Sequence, residues 1–308
     1  MSLRFVVRVA DTQLAERVIA EVWAAGSAGI EDEGSTLIVY APEADAARVR
    51  AAAERALGTL GELGPMERVD EVDWSVEWKR GLKALVISDR LVVRPSFVAH
   101  EPCPGQFELL IEVGQAFGTG GHASTQLALE WVDELFATRA DGTGHVIGPA
   151  GFSLPGNARV LDVGTGSGVL ALAALGLGAG SAVGVDTDAV AVIEAADAAR
   201  RNGLADRAHF VVGSLDALRE PRPGFDLLLA NLLSSEVTPI LPEIARALRP
   251  GGLAVFSGLL ASERGRFEDS LCTVGLEILA WRDQPDESRP AGQPPDDWVS
   301  PLASRTSE

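Results

Sequence analysis

The chain has 308 residues, 46% of them hydrophobic, enough for one large domain or two smaller ones with separate cores. A formal net charge of −18 argues against a surface that grips nucleic-acid phosphates, which needs clustered Lys and Arg; a macromolecular partner should instead be basic, unless the acidity only aids solubility. Two cysteines, Cys103 and Cys272, make no disulfide framework or metal-ligand spacing, and the charged start Met1-Ser-Leu-Arg-Phe-Val-Val-Arg is unlike an export signal, so a cytoplasmic protein is expected.

Residues 3–10 read as a strand, 12–25 as a helix with Leu14, Val18, Ile19 and Val22 on one side, 35–40 as a second strand and 45–57 as a second helix. This is a small α+β domain of ferredoxin-like order, over 1–73. A linker over 74–90 follows, in which Trp74 and Trp78 share a helical face. Strands are expected at 91–95 and 107–112, and an amphipathic helix at 124–136. Residues 139–156, rich in Gly and Pro, read as an inserted loop.

From residue 157 apolar strands and helices alternate through short glycine turns, which predicts a doubly wound parallel sheet in a domain over 91–282. The uncharged run from Gly168 to Val185 is 18 residues long, but five of them are glycine, so helix, turn and strand explain it better than a membrane span. The tail 283–308 is expected to be irregular.

In such sheets ligands sit at the carboxyl ends of the strands. The first of these strands ends in Val160-Leu-Asp-Val-Gly-Thr-Gly-Ser-Gly168, where Gly164 and Gly166 let backbone approach a ligand closely. A dinucleotide loop would want Gly-x-Gly-x-x-Gly to cradle a pyrophosphate, and here the sixth position is Val169. The spacing suits an adenosine cofactor without pyrophosphate, such as S-adenosylmethionine. Asp186, at the end of the next strand, can accept hydrogen bonds from both ribose hydroxyls, while Asp188 is better placed to cap the following helix. Gly213-Ser214 ends the strand after that and could border an adenine.

Asn231 ends another strand, and its amide can hold the amino-acid portion of the cofactor or orient an incoming amine; a turn-forming Asn is the plainer alternative. A second glycine-rich loop, Phe117-Gly-Thr-Gly-Gly-His-Ala-Ser-Thr125, precedes a helix that Ser124 or Thr125 can cap. His122 there is base, ligand contact or loop histidine.

Together with Gly184-Val-Asp-Thr-Asp, Arg201-Asn-Gly, Ala230-Asn-Leu-Leu, Leu248-Arg-Pro-Gly-Gly and Ser257-Gly-Leu-Leu, these motifs resemble the bacterial PrmA family over roughly residues 3–280. The resemblance implies a Rossmann-like class I methyltransferase domain behind a substrate-recognition module. It implies S-adenosyl-L-methionine as cofactor, held by Thr125, Gly164, Asp186 and Asn231, to which the glycine turn adds Gly166; no metal is expected. The implied substrate is ribosomal protein L-11, free or on the large subunit, methylated on lysine or amino-terminal amines. The chain departs from the family pattern at Gly121, Ala123 and Ser124, and its loop after Phe136 is longer, which touches loop rigidity and substrate choice rather than the cofactor. Asn231 is followed by Leu232 and Leu233 instead of Pro-Pro-Tyr, which favours an aliphatic amine acceptor. The alternatives are a methyltransferase of another protein lysine or small amine, an NAD-linked oxidoreductase, and a non-catalytic ribosome-assembly factor.

Overall fold

The computed structural model describes residues 2–9, 12–32, 36–58, 60–69, 82–112, 122–137, 154–218, 224–285 and 296–306. The helix expected around Trp74 and Trp78, the loop 117–121 and nearly all of 139–156 lie outside these residues. Two compact units divide the chain, Met1–Leu82 and Lys83–Glu308.

The first unit runs β1 (Ser2–Val9), α1 (Thr12–Ala24), β2 (Gly29–Asp32), β3 (Thr36–Pro42), α2 (Ala46–Leu57), β4 (Gly61–Leu63) and β5 (Glu67–Val69). Its sheet has the order β2-β3-β1-β4, with β5 also on β1, and every pair is antiparallel. Alternation decides its core: Phe5, Val7 and Val9 of β1 and Leu37, Val39 and Ala41 of β3 face Val18 and Val22 of α1 and Val49 and Ala53 of α2. Strands β2 and β4 have four and three residues, too short to carry a legible alternation.

The second unit opens with a three-stranded sheet, β6 (Leu85–Val86), β7 (Leu91–Arg94) and β8 (Phe107–Leu110). Next come α3 (Ala123–Leu135), β9 (Arg159–Val163), α4 (Val169–Gly176), β10 (Ser181–Asp186), α5 (Ala189–Arg201), β11 (Ala208–Val212) and β12 (Phe225–Asn231). The chain continues through α6 (Ser234–Val237), α7 (Leu241–Ala247), β13 (Leu248–Ser257), β14 (Leu259–Leu260), α8 (Arg264–Thr273), β15 (Leu276–Gln284) and β16 (Trp298–Arg305). These build one sheet of order β11-β10-β9-β12-β13-β16-β14, with β15 on β16. β11 to β13 are mutually parallel, and β16 is antiparallel to β13, β14 and β15. The uncharged run from Gly168 is therefore helix α4 and strand β10, and no helix among the described residues is long and apolar enough to cross a membrane.

The sheet corrects the expectation of an irregular tail after residue 283. β16 lies inside the sheet, with Val299, Leu302 and Ala303 at most 2% exposed. Pro301 disguises it in the sequence, because proline is a poor residue for a strand interior. It is tolerated because on one flank it falls between Leu302, which pairs with β13, and Val299, which pairs with β14, where the ladder changes partner. Trp131 of α3 fastens the strand through its indole N–H, which donates to the Ser300 carbonyl at 3.1 Å, and Ser300 Oγ donates to the Phe256 carbonyl at 2.5 Å.

Leu302→Ala should cost about 2–5 kcal/mol of unfolding free energy in a urea titration, the range for a large-to-small change in a close-packed core. A shift near zero would mean that the segment is the irregular tail.

Candidate functional site

The two faces of the large sheet explain which side chains meet at its carboxyl edge. Val160, Leu227, Leu229, Leu253 and Val255 share the core formed with α3 and α4, while Leu161, Leu228, Ala230, Ala254 and Phe256 share the core formed with α7 and α8. Carried along the strands, this alternation puts Asp162, Asn231 and Ser257 on the α3 and α4 face. All three are bonded there. Asp162 Oδ2 accepts from Thr165 Oγ at 2.8 Å and from the Ala171 N–H of α4 at 3.2 Å. Asn231 Nδ2 donates to Thr125 Oγ1 at 3.1 Å, and Ser257 Oγ donates to the Ser124 carbonyl at 2.6 Å.

Between β9 and α4 the chain turns at Gly164 and Gly166, with φ of +68° and +52°, a region that side-chain-bearing residues rarely adopt. Gly164 is also fixed by its neighbour, since a Cβ there would lie 2.5 Å from Leu232 Cδ2. Asp186 clasps the turn: its Oδ2 accepts from the Gly166 N–H and its Oδ1 from the Asp188 N–H, both at 2.9 Å. Each oxygen retains capacity for a second hydrogen bond. Asp188, not Asp186, caps α5, accepting from the Val190 N–H at 2.8 Å.

These ends enclose a cavity of about 780 Å³. Gly164, Gly166, Asp186, Gly213, Ser214 and Asn231 all line it, so the structure brings together the cofactor residues read from the sequence, with one exception. Thr125 is fully buried and stands behind Asn231 rather than on the wall; Ser124 is on the wall instead. Neither hydroxyl caps α3. His122 does, its ring accepting from the Ser124 N–H at 3.3 Å, with Nδ1 2.8 Å from Ser124 Oγ.

Glu236, Gly258 and Trp298 are among the wall residues that were not singled out from sequence. Gly258 has a φ of +84°, and a Cβ there would lie 2.6 Å from the Leu232 carbonyl oxygen and 3.3 Å from Asn231 Oδ1. Its position after β13, in Ser257-Gly-Leu-Leu, was the available signal. Trp298 was hidden by the misjudged tail. It meets His122 edge-on, with centroids 4.7 Å apart and planes at 73°.

Among the described residues the wall carries the carboxylates of Asp186, Asp188 and Glu236 and no Lys or Arg. That donor set disfavours a pyrophosphate and fits a cationic ligand with ribose hydroxyls, as S-adenosylmethionine is. The glycine cradle, where a Cβ would be blocked, fits close approach of such a group. No cluster of three or more His, Cys, Asp or Glu that could hold a metal ion occurs among the described residues.

Beneath the turn, Asp162 is 1% exposed and its Oδ1 has no hydrogen-bond partner. Burial pushes its carboxyl up from 3.8 to about 6, against the bonds from Thr165 and Ala171, with a small further push from Asp186. The fold thus prefers the protonated acid. Its stabilising contribution is complete below about pH 4 and is lost as pH rises through about 6. At pH 7 the ionised form should cost about 3 kcal/mol, from the roughly two-unit displacement. Asp162→Asn should therefore flatten the fall in urea midpoint between pH 4 and 7; a slope equal to that of the parent chain would remove Asp162 as its source.

Comparison with known proteins agrees with this geometry. The family model described as ribosomal protein L11 methyltransferase (PrmA) matches residues 5–286. The ribosomal protein L11 methyltransferase of Syntrophotalea carbinolica is 34% identical over 301 residues, covering 90% of this chain and 92% of that protein. The one from Deinococcus radiodurans is 37% identical over 259 residues, covering 83% and 84%. Among solved structures, the ribosomal protein L11 methylase of Lactobacillus delbrueckii subsp. bulgaricus superposes with a TM-score of 0.57 at 26% identity, covering 73% of this chain and 99% of that one. With a family match across nearly its whole length, the chain belongs to the PrmA family of ribosomal protein L11 methyltransferases.

Proposed function

We propose that this chain transfers methyl groups from S-adenosylmethionine to lysine or amino-terminal amines of ribosomal protein L11, with Met1–Leu82 as the substrate-recognition unit. The observation that carries the reading is the cavity itself: a glycine turn clasped by Asp186, beside Asn231, in a wall with carboxylates and no Lys or Arg among the described residues. The chain's charge of −18 suits a basic, lysine-bearing partner.

When bound, the cofactor supplies an electrophilic methyl group on a sulfonium, whose departure needs no protonation. The protein's task is therefore placement. The backbone of Gly164 and Gly166 permits close approach, and the remaining lone pairs of Asp186 would accept from the ribose hydroxyls. Asn231 has its Nδ2 committed to Thr125, which fixes the amide plane and leaves Oδ1 to accept from the incoming amine. Gly258 keeps the space beside that oxygen clear.

An unperturbed lysine, with a pKa near 10.4, is neutral in only roughly one molecule in a few thousand at pH 7. Asn231 Oδ1 aligns the neutral amine through one N–H so that its lone pair faces the methyl carbon, and water takes the surplus proton. Leu232 and Leu233 after it offer apolar surface to an aliphatic chain. An NAD-linked reaction is disfavoured, because the same carboxylates would repel a pyrophosphate.

Asp186→Ala should weaken S-adenosylmethionine binding by about 1.5–3 kcal/mol in calorimetry, the range for hydrogen bonds to a charged group. An unchanged dissociation constant would remove Asp186 from the site. Unmethylated L11 incubated with the full chain and cofactor should gain mass in steps of one methyl group. No gain on any lysine or amino terminus would sink the methylase reading in favour of a binding factor.

A further inference from the structure

We propose that Trp298 is an acceptor-side positioning residue that holds the methylated ammonium by cation–π contact and so governs how far methylation proceeds. This rests on the methyltransferase reading above. Sheet order β10-β9-β12-β13-β16 sets the order of the cavity wall: Asp186, Gly164, Asn231, Gly258, Trp298. Because β16 is antiparallel to β13, its first residue stands beside the last residues of its parallel neighbours. A cofactor held through its ribose by Asp186 would leave Asn231 and the wall beyond it to the amine acceptor.

Trp298 and His122 are the aromatic rings on that wall among the described residues. They meet edge-on at 4.7 Å, so the His122 cap of α3 braces the indole. The Trp298 backbone is fixed between Leu260 and Gln284, its partners in β14 and β15.

The chemistry supplies the need. In each transfer the amine lone pair forms the new N–C bond, the S–C bond breaks with its electron pair going to sulfur, and the positive charge passes to nitrogen. Loss of a proton to water then restores a neutral amine for the next round, until the third methyl leaves none to lose. Each added methyl replaces an N–H that Asn231 Oδ1 could have accepted. A nitrogen with few or no N–H groups is held by an aromatic ring rather than by hydrogen bonds.

The test follows L11 methyl states by mass spectrometry with the full chain, Trp298→Phe and Trp298→Leu, alongside calorimetry with S-adenosylmethionine. Trp298→Leu should slow transfer to already methylated amines by about three- to thirty-fold relative to unmethylated ones, so partly methylated L11 accumulates, while Trp298→Phe stays near the parent. Cofactor affinity should change less than about two-fold, since the ring lies beyond the cofactor. An unchanged ratio in Trp298→Leu, a Phe variant as defective as Leu, or loss of cofactor affinity in step with the ratio would each overturn the proposal. A measurement without variants guards against misfolding. Choline should compete with L11 for the unaltered chain, and its neutral isostere 3,3-dimethylbutan-1-ol should not; equal effects, including none, would overturn it. Failure of the unaltered chain to methylate L11 would instead strike the function proposed above.

Discussion

The site depends on a seam between helix and sheet. Asn231 reaches from the end of β12 to Thr125, and Ser257 from the end of β13 to the Ser124 carbonyl, so the first turn of α3 is tied to two parallel strands. Each bond contributes only about 1 kcal/mol net, but leaving a buried partner unsatisfied costs about 1–3 kcal/mol. Thr125 and Ser257 are fully buried, so the amide and the carbonyl must be where they are. A side chain at the cavity is thereby given a fixed plane by a residue that never touches the cavity.

That distinction marks the limit of what the sequence discloses. The alternation after residue 157 was legible because parallel strands are short apolar runs closed by glycine turns. Gly164, Gly166 and Asp186 were legible because their spacing is local: one turn and one βαβ unit. Thr125, expected as a ligand contact, stands behind Asn231, because burial of a hydroxyl depends on a partner far along the chain. His122 shows the same limit in reverse, since a ring nitrogen took the capping role expected of a hydroxyl. β16 was missed because Pro301 breaks the signature of a strand interior, and only pairing with β13, β14 and β15 makes Trp298–Arg305 a strand.

Charge organises the same region at two depths. Among the described residues of the wall, carboxylates without Lys or Arg set a negative potential suited to a sulfonium. Below it, Asp162 holds Thr165 and Ala171 with one oxygen while the other goes unpaired. The turn is therefore stiffened by a group whose ionised form the fold tolerates poorly, a cost in stability accepted for a fixed backbone.

The strand order also has a consequence in time. Central strand β9 pairs with β10, its near neighbour in sequence, but its other edge waits for β12, and β13 in turn waits for β16. Such long closures lose chain entropy before any contact compensates, and the leading unit carries closures of the same kind, since Ser2 of β1 pairs with Val69 of β5. The cavity, which needs β12 for Asn231 and β16 for Trp298, is therefore complete only once both distant closures of the larger sheet have formed.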